Sequence, residues 1–530
     1  MVDHGIDVSV IIRFRNEAAF LEAVFMAVRC QRLEGRVEIV AVDDGSQDGS
    51  YAIAERYADK ILKIDAYRPG KALNFAIQEA RGKYIAVLSG HTIPADCYWL
   101  TRLRACLDHP RIAGAYGGQV YNIHSKFLDK RVLDIFSTLE PRIETQNSDF
   151  WNANAMFSRA TWEVQRFDET VYELEDHYWT KLLLSRGYEV RFEPRALVYH
   201  YSHIARLDRE FLPASSLDKR ERIAGAIADL ERPDADWPRV MVAGMTLSSL
   251  TRSPDVRCAV DAIGRQLVQH WDFDVRWRMA QALGKIPLLE SVDYLVYALQ
   301  DPSLYPRDEA AWSLARIGAI AMPRLEAIVA SIPVSSRPFA ALALGLSGGT
   351  TSARAAIAIL GGELIAGDAK RQRDAAYFAG EIADVYGAKT LVTGLHPLLD
   401  GEADLCRVGS WALGCFADGV DSGIDFGRIG DLADSHCDPL VRFEATVAIG
   451  KHARAVRDRA TICMLMAKCS DSDARVRYGA TQSLRLLAED GVGFSTCVLN
   501  DDDPDLGVRF EVALILAECG RDNRHTFGFL

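Results

Sequence analysis

The residues with the most chemical potential sit where short hydrophobic runs stop. The β-branched run 37–42 ends in Asp43-Asp44-Gly45-Ser46, and carboxylates at a strand's carboxyl end, beside a glycine turn, can accept hydrogen bonds from a base or a ribose. The run 84–88 ends in Ser89-Gly90-His91, and the run 196–199 ends in His200. An imidazole can ligate a divalent ion without adding charge, or it can cap a turn or fill a buried hydrogen bond. Glu175-Asp176 opens an amphipathic segment. Acids at a helix start suit the helix dipole, and they can also serve as a general base.

These residues need elements to hold them. Runs at 8–12, 37–42, 61–64 and 84–88 read as strands, and amphipathic stretches at 18–32, 50–58 and 71–80 read as helices. Strand–helix–strand order implies a mostly parallel sheet whose ligands gather where the strands' carboxyl ends meet loops. From about Leu217 the rhythm is helical only. An arginine enters a helix ahead of small residues at Arg276, Arg307, Arg373, Arg407, Arg442, Arg477 and Arg509, the last five spaced 32–35 residues apart. Such a period marks stacked helix pairs. The segment resembles HEAT-like repeats, and the arginine is expected to bond a neighbouring turn. An alanine-rich bundle without repeats is the bland alternative.

A chain of 530 residues calls for two or more domains. A hydrophobic share of 49% with 25% charged residues fits a soluble globular protein. No run is long enough to span a membrane and no export signal is visible. The eleven cysteines show no paired spacing, so a reducing, cytoplasmic location is expected. The net charge of −12 argues against a nucleic-acid partner.

With 11–17 (Ile-Ile-Arg-Phe-Arg-Asn-Glu) before the acidic pair and Gly70-Lys71-Ala72-Leu73-Asn74 after it, the first 200 or so residues resemble the family-2 glycosyltransferases of the GT-A fold. The expected fold is therefore an α/β GT-A-type nucleotide-binding domain over 1–215, followed by an all-α HEAT-like solenoid over 216–530. The resemblance implies that Asp44 contacts the nucleotide base with Asp43 in support, and that Arg13, Arg15, Ser89, Arg68 and Lys71 lie near the nucleotide. For Arg68 and Lys71 a solvated surface is the competing reading. The resemblance also implies that Asn152 and Asn154 face the donor sugar beside Trp151, and that Asp176 is the catalytic base with Glu175 next in line. Most members carry an Asp-x-Asp motif where this chain has Ser89-Gly90-His91. A site at His91 and His200 would favour Mn²⁺ over Mg²⁺, or the reaction would run without metal.

The implied activity is inverting transfer of a sugar from a nucleotide-diphosphate donor to a protein, peptide or glycan acceptor, with the repeats binding acceptor or a protein partner. The alternative is an inactive nucleotide-binding scaffold whose repeats do the work. A role with tetrapyrrole-bearing proteins, suggested by other repeat proteins alone, has no support in the first 215 residues.

Overall fold

The computed structural model describes residues 5–122, 138–201, 218–251, 253–417 and 423–519. By packing, the chain forms two compact units, residues 1–209 with 469–530, and residues 210–468. A division at 215/216 follows the sequence rhythm. The packing groups the last helices with the sheet, because helix Leu506–Glu518 lies against strands of that unit.

The first unit is built on a nine-stranded sheet ordered β3-β2-β1-β4-β8-β6-β9-β5, with β7 also on β9. The strands are β1 (Ile6–Phe14), β2 (Arg36–Asp43), β3 (Lys60–Lys63), β4 (Tyr84–Ser89), β5 (Thr92–Pro94), β6 (Ile112–Tyr121), β7 (Arg142–Glu144), β8 (Asn154–Ser158) and β9 (Glu189–His200). Strands β1 to β4 pair in parallel, as the strand–helix alternation requires. The other half is mixed. Here β8 runs antiparallel to both β4 and β6, and β5 and β7 run antiparallel to β9. Parallel pairing thus holds among β1 to β4 and again between β6 and β9, with the antiparallel β8 inserted between the two parallel groups.

Register decides which residues meet. Strand β1 lies between β2 and β4, setting Arg13 beside Val42 on one side and Ser89 on the other, and Phe14 beside Asp43. Valine and isoleucine fill the interior of these strands with almost no exposure, which fixes the register because a one-residue slip would turn polar side chains into the core. Thr92 pairs with His200, so His91, one residue earlier, arrives beside His200.

Among its described residues the second unit carries helices and no strands, from helix Lys219–Glu231 to helix Arg459–Lys468. The recurring arginine reaches back to the preceding turn. Arg276 donates to the carbonyls of His270 and Trp271, and Arg442 to those of His436 and Cys437. Arg276 also forms a two-pronged pair with Asp301 at 2.6 and 2.9 Å, both side chains buried. Arg276 and Arg442 thus close the carbonyls of one turn, and Arg276 ties its repeat to the next loop as well. Removing one partner of a buried pair strands the other. Arg276→Ala is therefore expected to cost about 3 kcal/mol, read as a lower urea midpoint for the helical unit.

Candidate active site

The site assembles at the carboxyl ends of β1, β2 and β4. A cavity of about 100 Å³ is lined by Arg13, Phe14, Arg15, Asp44, Tyr67, Ser89 and His91. Five candidates from the sequence therefore face one space. Arg15 reaches Asp44 at 3.4 Å. Asp43 points elsewhere. It is buried and accepts the Ser46 N–H at 3.0 Å, closing the turn that presents Asp44.

Arg13 links this cavity to the acidic pair. Its guanidinium donates to Glu175 Oε1 at 3.1 Å and to the Tyr67 hydroxyl at 3.3 Å. Burial works against its charge, but Tyr67, Glu175 and Asp176 outweigh it and hold the guanidinium more firmly protonated than usual. Glu175 also accepts from the Asn152 side-chain amide at 3.1 Å, while the Asn152 N–H donates to Asp176 Oδ2 at 2.8 Å. The other Asp176 oxygen accepts the His177 N–H at 2.9 Å. Burial, then the neighbouring Glu175, push the Asp176 carboxyl up to about 6, against the lowering pull of His177, the Asn152 N–H and Arg13. A carboxyl tuned upward in this way is a stronger base once ionised than an ordinary aspartate.

Local backbone strain surrounds these groups. Among the described residues only four non-glycine residues take positive φ, and three of them are Asn16, Ala66 and Leu174. Asn16 sits between Arg15 and Glu17, Ala66 precedes Tyr67, and Leu174 precedes Glu175. Left-handed backbone at such residues is costly and persists where the surroundings over-determine it. The bracing is visible. The Asn16 N–H reaches Ser46 Oγ, the Glu17 N–H reaches Ser50 Oγ, and the Gln47 N–H reaches Asn16 Oδ1, lacing the loops after β1 and β2 together.

The histidines meet as a pair. His91 Nε2 and His200 Nε2 are 3.1 Å apart, and each ring is held from behind. His91 Nδ1 lies 2.9 Å from Glu17 Oε1, and His200 Nδ1 lies 2.8 Å from Gln119 Oε1. With Glu17 and Gln119 oxygens facing the Nδ1 atoms, the Nδ1–H tautomer of each ring would turn a lone pair on Nε2 toward the other. Two facing lone pairs repel unless a proton or a cation lies between them. Among the described residues no group of three or more His, Cys, Asp or Glu is arranged to hold a metal.

Other candidates have different surroundings. Arg68 stacks over Tyr172 at 4.6 Å, donates to its hydroxyl at 2.9 Å and reaches the carbonyls of Glu169 and Thr170, which steadies the segment leading to Glu175. Lys71 is exposed and lies outside the cavity lining. Asn154 is fully buried. Its amide donates to the carbonyls of Gly118 and Ala196 and accepts from the Trp99 indole. The expected sugar-facing position is thus used to brace β6, β9 and helix Trp99–Cys106, because two buried carbonyls and a buried indole need a polar partner. Three participants escaped the sequence reading: Tyr67, Glu17 and Gln119. Gln119 left a signal, a polar side chain inside a strand whose every residue is buried.

Comparison with known proteins agrees with this layout. Residues 9–166 match the model for glycosyl transferase family 2. The chain carries a family-2 glycosyl transferase domain. A second model, for HEAT repeats, matches residues 260–345. The chain is 32% identical over 236 residues to the succinoglycan biosynthesis protein ExoO of Rhizobium meliloti, covering 39% of this chain and 66% of that protein. It is 25% identical over 194 residues to the glycosyltransferase AglE of Haloferax volcanii, covering 35% and 64%. The chain thus spans slightly under two thirds of the length of either relative. Among solved structures, a mannosyltransferase from Pyrobaculum calidifontis in complex with GDP-Man and Mn²⁺ aligns at 17% identity over 68% of this chain and 88% of that one, with a TM-score of 0.33. No helix among the described residues is long and apolar enough to cross a membrane.

In this family-2 domain the Arg13–Glu175 pair should matter most when the carboxyls are ionised. Arg13→Ala is expected to destabilise the fold by about 3 kcal/mol at pH 8. The loss should shrink at pH 5, where Asp176, with its carboxyl raised to about 6, can take up a proton and needs the cation less. Urea unfolding at the two pH values measures the difference.

Proposed function

We propose that this protein is an inverting glycosyltransferase that moves a sugar from a nucleotide-diphosphate donor to an acceptor hydroxyl, with residues 1–215 carrying the chemistry. One observation carries the reading. Arg13 lines the cavity shared by Asp44 and His91 and at the same time pairs with Glu175, next to Asp176. A donor whose base lies at Asp44 and whose diphosphate lies toward Arg13, Arg15 and His91 has its sugar directed at the acidic pair.

The roles then follow from the geometry. Asp176, ionised above about pH 6, takes the proton of the acceptor hydroxyl as its oxygen bonds to the anomeric carbon. The bond from that carbon to the diphosphate breaks, and its electrons leave with the diphosphate. Arg13 and Arg15 offset the charge that develops there. Asn152 Oδ1 and Arg13 Nε are buried without a partner among the described residues, as expected of atoms that complete their hydrogen bonds to a sugar hydroxyl or a phosphate. Glu175 fixes Arg13 and Asn152 and is placed to orient rather than to accept the proton. Arg68 holds the loop that carries Tyr172, and Lys71 has solvent around it, so their part is in charge and loop position. Asn154 supports the sheet beneath.

The residues fit a divalent cation at His91 and His200. His91 Nε2 and His200 Nε2, 3.1 Å apart, would hold it. Glu17 and Gln119 supply the outer hydrogen bonds that ligating histidines require. Two imidazole nitrogens as ligands would favour Mn²⁺ over Mg²⁺. When bound, the ion neutralises the departing diphosphate. Acceptors in the protein, peptide and glycan classes suit the long repeat segment, whose stacked helices offer an extended face, and fusion raises the local concentration of anything held there.

The test is release of nucleoside diphosphate from UDP-, dTDP- and GDP-sugars, with and without Mn²⁺. One donor should turn over slowly against water, and Asp176→Asn should lower that rate by at least about 100-fold. The rate should rise with pH through about 6 and level off above it, the sign expected when a base must lose its proton. His91→Ala and His200→Ala should each lower Mn²⁺ affinity and rate by about 10- to 100-fold, measured by titration. No release from any donor, with cell extract supplied as acceptor, would favour the scaffold reading.

A further inference from the structure

Strand β9 does not end in open solvent. Tyr199 and Tyr201 flank His200 and are both buried against helices Ala474–Glu489 and Leu506–Glu518. The Tyr199 hydroxyl donates to Asp505 Oδ2 at 2.8 Å, and the Tyr201 hydroxyl donates to Glu511 Oε1 at 2.8 Å. Asp505 also caps its own helix by accepting the Val508 N–H. Glu511 is tied by Gln482 at 3.0 Å and Arg485 at 2.7 Å, and Asp503 by Arg477 at 2.7 Å. Every acid behind β9 therefore has a partner that fixes its position.

The same helix also reaches the other histidine. Phe510 packs on Tyr201 at 5.4 Å and on Phe20 at 6.2 Å, and Phe20 stacks on Tyr201 at 4.9 Å. Phe20 lies in the first turn of helix Ala18–Arg29, three residues after the Glu17 that holds His91. The Leu506 N–H donates to the Ala95 carbonyl just after β5, and the Tyr201 N–H donates to the His91 carbonyl. A Cβ on Gly507 would stand 2.2 Å from the Tyr199 ring, so backbone and ring touch with no space between them.

We infer that helix Leu506–Glu518, part of the repeat rhythm by sequence, is a structural component of the catalytic site. Asp505 and Glu511 act as positioning residues that set the histidine pair through Tyr199 and Tyr201. The inference rests on the reading of His91 and His200 given above for its consequence in catalysis, but the positioning itself can be measured without turnover. A two-sided hold on β9, one hydroxyl on each side of His200, fixes both the height and the rotation of the strand end. An aromatic contact alone would leave the strand free to slide.

The experiment uses the full chain carrying Tyr199→Phe with Tyr201→Phe, and separately Gly507→Ala, which disturbs the Tyr199 ring without removing any hydrogen bond. Asp301→Asn serves as control, since it weakens a buried pair in the other unit. Histidine-labelled protein is observed by NMR for the imidazole Nδ1–H signals of His91 and His200, assigned by single substitution, and Mn²⁺ alone is titrated by its free-ion electron paramagnetic resonance signal. Both tyrosine changes together and Gly507→Ala should shift the two imidazole signals and weaken Mn²⁺ binding about tenfold, while Asp301→Asn moves neither. Unchanged imidazole signals in both test variants would overturn the positioning role. If the unaltered protein binds no Mn²⁺, the metal reading fails, and the imidazole signals still decide whether the helix sets the pair.

Discussion

The site depends on burying a guanidinium between two carboxyl groups. Arg13, Glu175 and Asp176 occupy one small volume from which water is largely removed, and an incompletely tied charge there would cost several kcal/mol. Each group must therefore arrive with its partner already placed. Strand register supplies Arg13, the left-handed turn at Leu174 supplies Glu175 and Asp176, and Asn152 joins the two acids through its N–H and its amide. The fold as a whole can be understood as the means of bringing the exit of β1 and the entry of helix Glu175–Leu184 to the same point.

Meeting that constraint has a conformational cost, and its distribution is informative. Leu174, Ala66 and Asn16 adopt backbone that most residues avoid, each at roughly 1–3 kcal/mol. The loops that contain them are stitched by side chain to backbone bonds rather than left open. Strain of this kind is spent where side-chain direction matters more than local comfort, and outside this region only Arg457 among the described non-glycine residues shows it. Gly70 answers a related demand, since a Cβ there would meet the Asp168 carbonyl at 1.9 Å, and that close approach holds the 168–172 segment against helix Pro69–Glu79.

Much of this was legible in the residues. Runs of valine and isoleucine that stop at Asp43-Asp44 or at Ser89-Gly90-His91 announce strand ends, because the pattern must change where the backbone leaves the sheet. The arginine at each repeat could be seen for the same reason, as a charge recurring at a helix entrance. Side-chain partners across the chain could not. Glu17 and His91 are 74 residues apart and Gln119 and His200 are 81 apart, and nothing local marks such a pairing except the oddity of a glutamine in a buried strand. Asn154 shows the converse difficulty. An asparagine beside a candidate pocket can serve a ligand or the core, and only the positions of Gly118, Ala196 and Trp99 decide between them. The last repeat helices were legible as helices but not as part of the sheet unit, since Phe510 and Glu511 follow a pattern, Val-Arg-Phe-Glu, that also occurs at 441–444.

Replacing a carboxylate by an imidazole changes how an ion would be held, and the surroundings suit the change. A carboxylate ligand binds a free divalent ion by charge, whereas two neutral imidazoles leave that charge nearly whole. On the reading proposed here, the diphosphate would add to the hold that the two imidazoles give the ion, so ion and donor would stabilise each other in the site. Glu17 lies one bond further out, behind His91, where it polarises the ring without competing with phosphate for the ion. A ligand pair of this type requires the two rings to be placed by something other than the metal, and the hydrogen bonds from Glu17 and Gln119, with the tyrosines of β9 anchored on Asp505 and Glu511, provide that placement from both sides.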